Sequence, residues 1–252
     1  MSDKSKKSVS LILPVYNEKT LLAPAVERCI SALSADFEDY EIILVDDGST
    51  DGITDLLTSL ETRSQHLKVM YNVVNLNVGI AVQRGMMSAR CEYIVHNAVD
   101  LPLAPEELAK ILEEMDDCDL LVLERSTYAG YMKWRVVTSV INRLLLKLFF
   151  SSAVRGIVDL NFTQIYRKEI VPKILPLAKS PAFTTPEMII RAKFLKFRVK
   201  SALVDYKPRL SGKGAFGKPH DIMWSMYDMF RFRMKLWRNR SRTLYGKNNP
   251  TK

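Results

Sequence analysis

The chain has 252 residues, 47% of them hydrophobic and 26% charged, with a formal net charge of +9. That apolar content can fill a core in one large α/β domain or two small ones, and it excludes a disordered polymer. The basic N-terminus MSDKSKKSVS lacks an apolar leader. No later stretch approaches the roughly 18 apolar residues of a spanning helix, so the expectation is a cytoplasmic protein, neither secreted nor crossing a membrane.

Residues 9–15 read as a buried strand, 20–33 as a helix with Thr20 as candidate cap, 40–45 as a second strand and 51–65 as a second helix. Residues 68–74 give a third strand, 78–90 a helix with small residues, 93–96 a fourth strand, 105–114 an acidic helix and 119–123 a fifth strand. Strands alternating with helices imply right-handed crossovers and a mainly parallel sheet. Beyond Arg125 come a long amphipathic segment at 131–150, a short strand at 165–166, a helix at 186–194 and a strand at 197–206. Cys29, Cys91 and Cys118 are too far apart for a zinc or redox pair, and Cys29 reads as a small buried hydrophobe.

The charge is uneven. After Asp228 there are eight Lys or Arg and no acid, whereas residues 106–119 are acidic. Ile222, Met223, Met226, Tyr227, Phe230, Met234 and Trp237 recur at three- and four-residue spacing among those basic residues. Such a stripe fits a membrane surface better than nucleic acid, which has only net charge in its favour. Closing the core is the alternative use of the same stripe.

Two strand ends carry the chemistry, SLILPVYNE and EIILVDDGSTD. In an open α/β sheet the ligand crevice lies at the carboxyl ends of the strands, which brings Pro14, Tyr16, Asn17, Glu18, Asp46 and Asp47 to one rim. Helix capping by Asn17 or Glu18 and turn formation by Asp47 are the structural alternatives.

LPVYNE, ILVDDGSTDG, NLNVGIAVQRGMMSA, AVDLPLAPEEL and DLNFTQIYRKE occur in the order and spacing of the family-two inverting glycosyltransferases, which the chain resembles over nearly its whole length. The resemblance implies an α/β GT-A fold, a Rossmann-like mixed sheet flanked by helices. It also implies a nucleoside-diphosphate sugar donor and transfer with inversion. The second half is similar to the polyprenyl-phosphate sugar synthases, the dolichol-phosphate mannose synthase branch, through Arg125, Trp134, Arg135, Ser139, Asn142, Asp159, Tyr166 and Arg167. Three segments follow: a flexible N-terminus at 1–8, a catalytic domain at 9–217 and a basic amphipathic helix and tail at 218–252. The domain divides into a donor half, 9–124, and an acceptor half, 125–217.

On this resemblance, main chain at Pro14 with Tyr16, Glu18 and Asp46 or Asp47 would hold base and ribose. Gly79 and Lys213 join the donor side, Gly79 with tight helix packing as its alternative. The leaving diphosphate needs Mg²⁺ or Mn²⁺ or cationic side chains. The family's paired-acid element reads Ala98-Val99-Asp100, so Asp100 alone remains as a metal ligand, with His96 and Asn97 close by. The loop KPRLSGKGAFGK, with Arg209 and Lys213, and the following His220 could meet phosphate or metal. If the acceptor is polyprenyl phosphate, Arg125, Arg135 and Arg209 would grip it while Asp159 orients it or the sugar. If it is a sugar hydroxyl, Asp159 or Glu187 would be the base. A nucleotide-sugar-binding pseudoenzyme is the non-catalytic alternative. The implied location is the inner face of a membrane, held peripherally.

Overall fold

A computed structural model describes residues 4–126, 133–176, 180–205 and 219–246; the side chains of 133–138, 181, 219–222 and 239–246 lie outside that description. Seven strands form one sheet in the order β3-β2-β1-β4-β6-β5-β7. They are β1 (Val9–Val15), β2 (Tyr40–Asp46), β3 (Leu67–Tyr71), β4 (Tyr93–His96), β5 (Leu120–Arg125), β6 (Gln164–Arg167) and β7 (Val199–Val204). β1 and β2 are near-continuous apolar runs, as strands covered on both faces must be. β6 runs antiparallel to both its neighbours and the remaining pairs are parallel.

The two-residue period of the strands feeds two cores. Leu11, Leu13, Ile42, Leu44 and Val95 face a core shared with α1 (Lys19–Asp36), α2 (Thr54–Arg63) and α4 (Leu108–Glu113). Ile12, Ile43, Val45 and Ile94 face the other core. It is built with α3 (Val78–Ser88), α5 (Lys133–Phe150), α6 (Val171–Ile174), α7 (Pro181–Phe194) and α8 (Pro219–Gly246). Cys29, Cys91 and Cys118 are buried free thiols, and burial pushes Cys29 up to about 12.

The chain steps outward from β1 to β3, then returns to β4 on the other side of β1, and the ligand crevice of such a sheet lies at that reversal. Because β6 opposes both β4 and β5, β5 runs the same way as β4. The carboxyl ends of β1, β2, β4 and β5 and the beginning of β6 therefore share one edge.

Several boundaries differ from the sequence reading. β3 ends at Tyr71, because Val73 is fully exposed and Val74 largely so, while Asn72 turns inward. The acidic helix splits into a 3₁₀ turn, Pro105–Glu107, and α4. α7 begins at Pro181, which places Pro186 inside the helix and removes Glu187 from the first turn. Tertiary packing explains the earlier start: Phe183 lies 5.9 Å, ring to ring, from both Phe150 and Phe232. The Thr184 hydroxyl also donates to Ser180 O at 2.9 Å, a carbonyl that the Phe183 and Thr184 N–H groups already reach.

Gly85 seats α3 directly on β1 and β2: a Cβ there would lie 2.5 Å from Ile12 Cγ2 and 3.2 Å from Val45 Cγ2. Gly85→Val is expected to cost about 2 kcal/mol through overpacking, read as a lower urea midpoint at unchanged slope.

Candidate active site

The loops after β1 and β2 are bonded into one unit. Asp47 N donates to Val15 O at 2.8 Å, continuing the ladder past the strand ends. Asn17, at φ 54°, donates its N–H to Ser49 Oγ at 3.0 Å, and its Oδ1 accepts from Thr50 N at 2.7 Å. Asparagine is among the residues that tolerate this left-handed backbone. Asp51 caps α1 from the neighbouring loop, its Oδ2 accepting from Lys19 N at 3.0 Å. Glu18 occupies the N-cap position of α1 without a side-chain capping bond, Thr20 lies within the helix and the Asn17 side chain turns to Thr50, so none of the three expected residues caps the helix through its side chain.

Both aspartates of the second loop are buried and both hold backbone. Asp46 Oδ1 accepts from Ser49 N at 3.0 Å, closing the turn. Asp47 Oδ1 accepts from Asn72 Nδ2 at 2.7 Å and from Leu76 N at 2.9 Å, tying the loop after β3 to the same unit. Gly48, at φ +74°, lets that loop approach: a Cβ would lie 2.6 Å from the Val74 carbonyl carbon. Tyr16, 46% exposed, and Val73 and Val74 present apolar surface to solvent from these loops, while Pro14 is part-buried in β1. Gly79 is buried where α3 meets α7, a Cβ there falling 2.6 Å from Thr184 Oγ1. That contact gives the glycine a packing role by itself.

At the end of β4, Asn97 is consumed by structure. Its Nδ2 donates to Leu103 O at 2.8 Å and its Oδ1 accepts from Ala98 N at 3.0 Å. Leu101 N closes the Ala98-Val99-Asp100 turn onto Ala98 O at 2.9 Å. Leu101 takes φ 47° with its side chain buried, so a core contact holds the strained turn that presents the half-buried Asp100. Among the described residues no three His, Cys, Asp or Glu side chains converge to hold a metal. A cation at this turn would be held by Asp100 together with substrate oxygens and water.

His96 Nδ1 is enclosed without a hydrogen-bond partner, although part of the residue reaches the surface. Burial pushes the imidazole down to about 4, so it is neutral at physiological pH.

The acceptor half has its own bonded core at the rim. Arg125, at the end of β5, forks onto Asp159: Nε to Oδ2 at 2.5 Å and Nη2 to Oδ1 at 3.0 Å. Both side chains are nearly buried, 10% and 5% exposed. The guanidinium also lies 5.1 Å from the Phe162 ring centroid. The preceding strand residue, Glu124, accepts from Val158 N at 2.9 Å. Consecutive residues of β5, with side chains on opposite faces of the sheet, thus clamp consecutive residues of one loop. The sequence reading passed over Glu124, although an acid ending a run of buried apolar residues is a readable signal. Glu187 is buried and paired with Arg191 one turn later, Nη2 to Oε1 2.6 Å, and Arg191 lies 5.0 Å from the Phe232 ring centroid.

Two residues of the resemblance lie away from the rim. Tyr166 is fully buried, its hydroxyl on Gln164 and near Met188, with its pKa raised by burial. Arg167, at the far end of β6, donates to the carbonyls of Cys118 and Met115 and pairs with Glu92. On α5, Ser139 is exposed and Asn142 part-exposed. Arg209 and Lys213, and the side chains of Trp134, Arg135 and His220, lie outside the described residues.

A family model described as glycosyl transferase family 2 matches residues 10–171, which take in the ends of β1, β2, β4 and β5 and the loop of Asp159. The chain belongs to glycosyl transferase family 2. Among curated proteins, the undecaprenyl-phosphate 4-deoxy-4-formamido-L-arabinose transferase of Aeromonas hydrophila is 26% identical over 232 residues, 91% of this chain and 68% of that one. The protein of that name from Yersinia enterocolitica is 35% identical over 120 residues, 46% of this chain and 36% of that one. The Photorhabdus laumondii protein is matched over 56% of its length, so this chain spans only part of these relatives. Among solved structures, the Mycobacterium tuberculosis glucosyl-3-phosphoglycerate synthase with phosphoglyceric acid superposes with a TM-score of 0.68 at 15% identity, covering 89% of this chain and 79% of that one. The same synthase with Mn²⁺, uridine diphosphate and glucosyl-3-phosphoglycerate gives 0.65 at 16% identity, covering 90% and 80%. These likenesses establish the GT-A fold, and the family makes this glycosyltransferase an enzyme of sugar transfer.

Removing one partner of a buried pair strands the other, so Arg125→Met is expected to cost about 3 kcal/mol. Combining it with Asp159→Asn should cost clearly less than the two single losses added, measured as a double-mutant cycle in urea; simple additivity would show the pair to be idle. For His96, the folded value near 4 lies below the unfolded 6.5, so the unfolded chain takes up the proton first. Stability should be full above pH 6.5 and fall as pH drops toward 4, a loss that His96→Gln reduces in unfolding titrations at fixed pH.

Proposed function

We propose that this family 2 transferase moves a sugar, with inversion, from a nucleoside-diphosphate sugar to a polyprenyl phosphate, acting peripherally at the inner face of a membrane. The observation that carries the acceptor class is the state of the two candidate bases. Asp159 is locked to Arg125 and Glu187 to Arg191, both buried. A sugar hydroxyl needs a base to take its proton, whereas a phosphate is already anionic and chiefly needs positioning. Ion-paired carboxylates suit the second task. Support also comes from the Aeromonas hydrophila relative, whose name carries an undecaprenyl-phosphate acceptor and whose match reaches through the acceptor half.

In this reading the loops around Tyr16, Glu18, Asp46 and Asp47 hold the nucleoside. The Arg125–Asp159 pair, with Arg135 and Arg209, fixes the acceptor phosphate. A phosphate oxygen forms the new bond to the anomeric carbon on the face opposite the departing diphosphate, which leaves with its electron pair. Mg²⁺ or Mn²⁺ held by Asp100, water and the diphosphate would neutralise that charge, with Lys213 as a further cation. Solved neighbours carry Mn²⁺ or Mg²⁺ together with uridine diphosphate, in keeping with such a cation. Residues 9–124 and 125–217 serve as the donor and acceptor halves of one catalytic domain.

The test begins with thermal stabilisation by nucleoside diphosphates with and without Mn²⁺, followed by transfer of radiolabelled sugar to polyprenyl phosphate in detergent. Stabilisation should require the nucleotide and grow with the cation. Transfer should fall at least about 100-fold in Asp100→Asn, since that residue meets charge developing in the transition state. Nucleotide binding without turnover on any acceptor, or turnover on sugar hydroxyls alone, overturns the proposal.

A further inference from the structure

α8 is apolar on two opposite sides, and only one of them is used by the fold. At about 100° per residue, Met229, Phe232 and Leu236 form the side packed into the second core, with Ser225 buried in line with them. The stripe singled out in the sequence is a different set. Met223 (62% exposed), Tyr227 (54%), Phe230 (56%) and Trp237 (64%), with Met226 and Met234, lie on the opposite side, in solvent. The stripe therefore does not close the core, which removes the bland use of it. Arg231, Lys235 and Arg238 border it on one flank and Arg233 on the other, all exposed. Asp228 is the one acid among the described side chains of α8, and it points into the fold, accepting from Ser180 N at 3.0 Å. Basic residues continue along the sequence at Arg240 and Arg242.

α5 repeats the pattern beside it. Leu146 and Phe150 enter the core, the Phe150 ring 5.8 Å from Phe232 of α8, while Val140, Ile141, Leu144 and Leu148 are exposed with Arg143 and Lys147. No helix among the described residues is long and apolar enough to cross a membrane.

We infer that the outer side of α8, with the exposed stripe of α5, is a docking surface for an anionic lipid bilayer. The apolar stripe enters the headgroup layer and the flanking Arg and Lys meet lipid phosphates. An exposed stripe bordered by cations is the pattern of a helix lying in an interface, and tyrosine and tryptophan suit the boundary between headgroup and acyl chain. Charge decides against a second copy of this chain: two such faces brought together would set cation against cation, with no acid among the described side chains of either face to answer them. The inference deepens the membrane part of the proposed function by naming the surface and the lipid class, and it does not depend on the acceptor.

The experiment is sedimentation of the full chain with vesicles that contain no polyprenyl phosphate, either phosphatidylcholine alone or with phosphatidylglycerol. Binding should need the anionic lipid and weaken steeply with added salt. Arg231→Gln and Arg238→Gln should each lower it about fivefold. The double variant Phe230→Glu, Met234→Glu should abolish it while circular dichroism and transfer to detergent-dissolved polyprenyl phosphate stay unchanged. Equal binding to both vesicle types, no binding to either, or an effect of the variants on self-association instead of on vesicles overturns the inference. Failed transfer in detergent with intact vesicle binding would instead sink the proposed function alone.

Discussion

Parallel pairing of β1 with β2 on one side and β4 on the other is the constraint on which the site rests. Register sets Val15 beside Asp46 and Ile12 beside His96, so three chain segments far apart in sequence emerge at one edge. Once there, the loops are fixed by one another more than by their own strands. Asn17 donates to Ser49 and accepts from Thr50, Asp51 caps a helix that belongs to another strand, and Asp47 reaches the loop after β3. The carboxylates that look most like ligand-binding groups are therefore also the groups that shape the rim. Substitutions there will mix loss of shape with loss of contact.

On the other half of the edge, charge is used in pairs. Glu124 and Arg125 leave the same strand on opposite faces and seize neighbouring residues of one loop. A buried bidentate pair costs desolvation and returns geometry, which is useful where a phosphate must be aligned with an anomeric carbon. Catalysis by alignment needs less acid–base equipment than hydrolysis or transfer to a hydroxyl, in keeping with a site whose acids are already engaged.

Much of this was legible in the sequence. Buried strands announced themselves as apolar runs, and the two acidic loops after them marked the rim, because the edge follows from strand direction alone. Partners were not legible. Nothing in DLNF shows that Asp159 meets Arg125, since the pairing depends on β6 entering between β4 and β5. Pro186 read as a helix start and lies inside α7, since the contacts of Phe183 outweigh local preference. The stripe of α8 was visible as a pattern, but its side was not: a helix with two apolar faces has an ambiguous period until one face is seen packed.

The short reversed strand β6 has a consequence for how the molecule is made. β5 and β7 join the rest of the sheet only through β6, by three paired positions on each side. During synthesis β5 leaves the ribosome before β6 exists, so one long edge of an apolar strand, LLVLE, waits without its neighbour while residues 126–163 are added. At about 5–20 residues per second that wait lasts seconds, long compared with collapse of the first half. The four residues of β6 then cover one edge of β5, and the other edge stays open to mispairing until β7 follows at Val199–Val204.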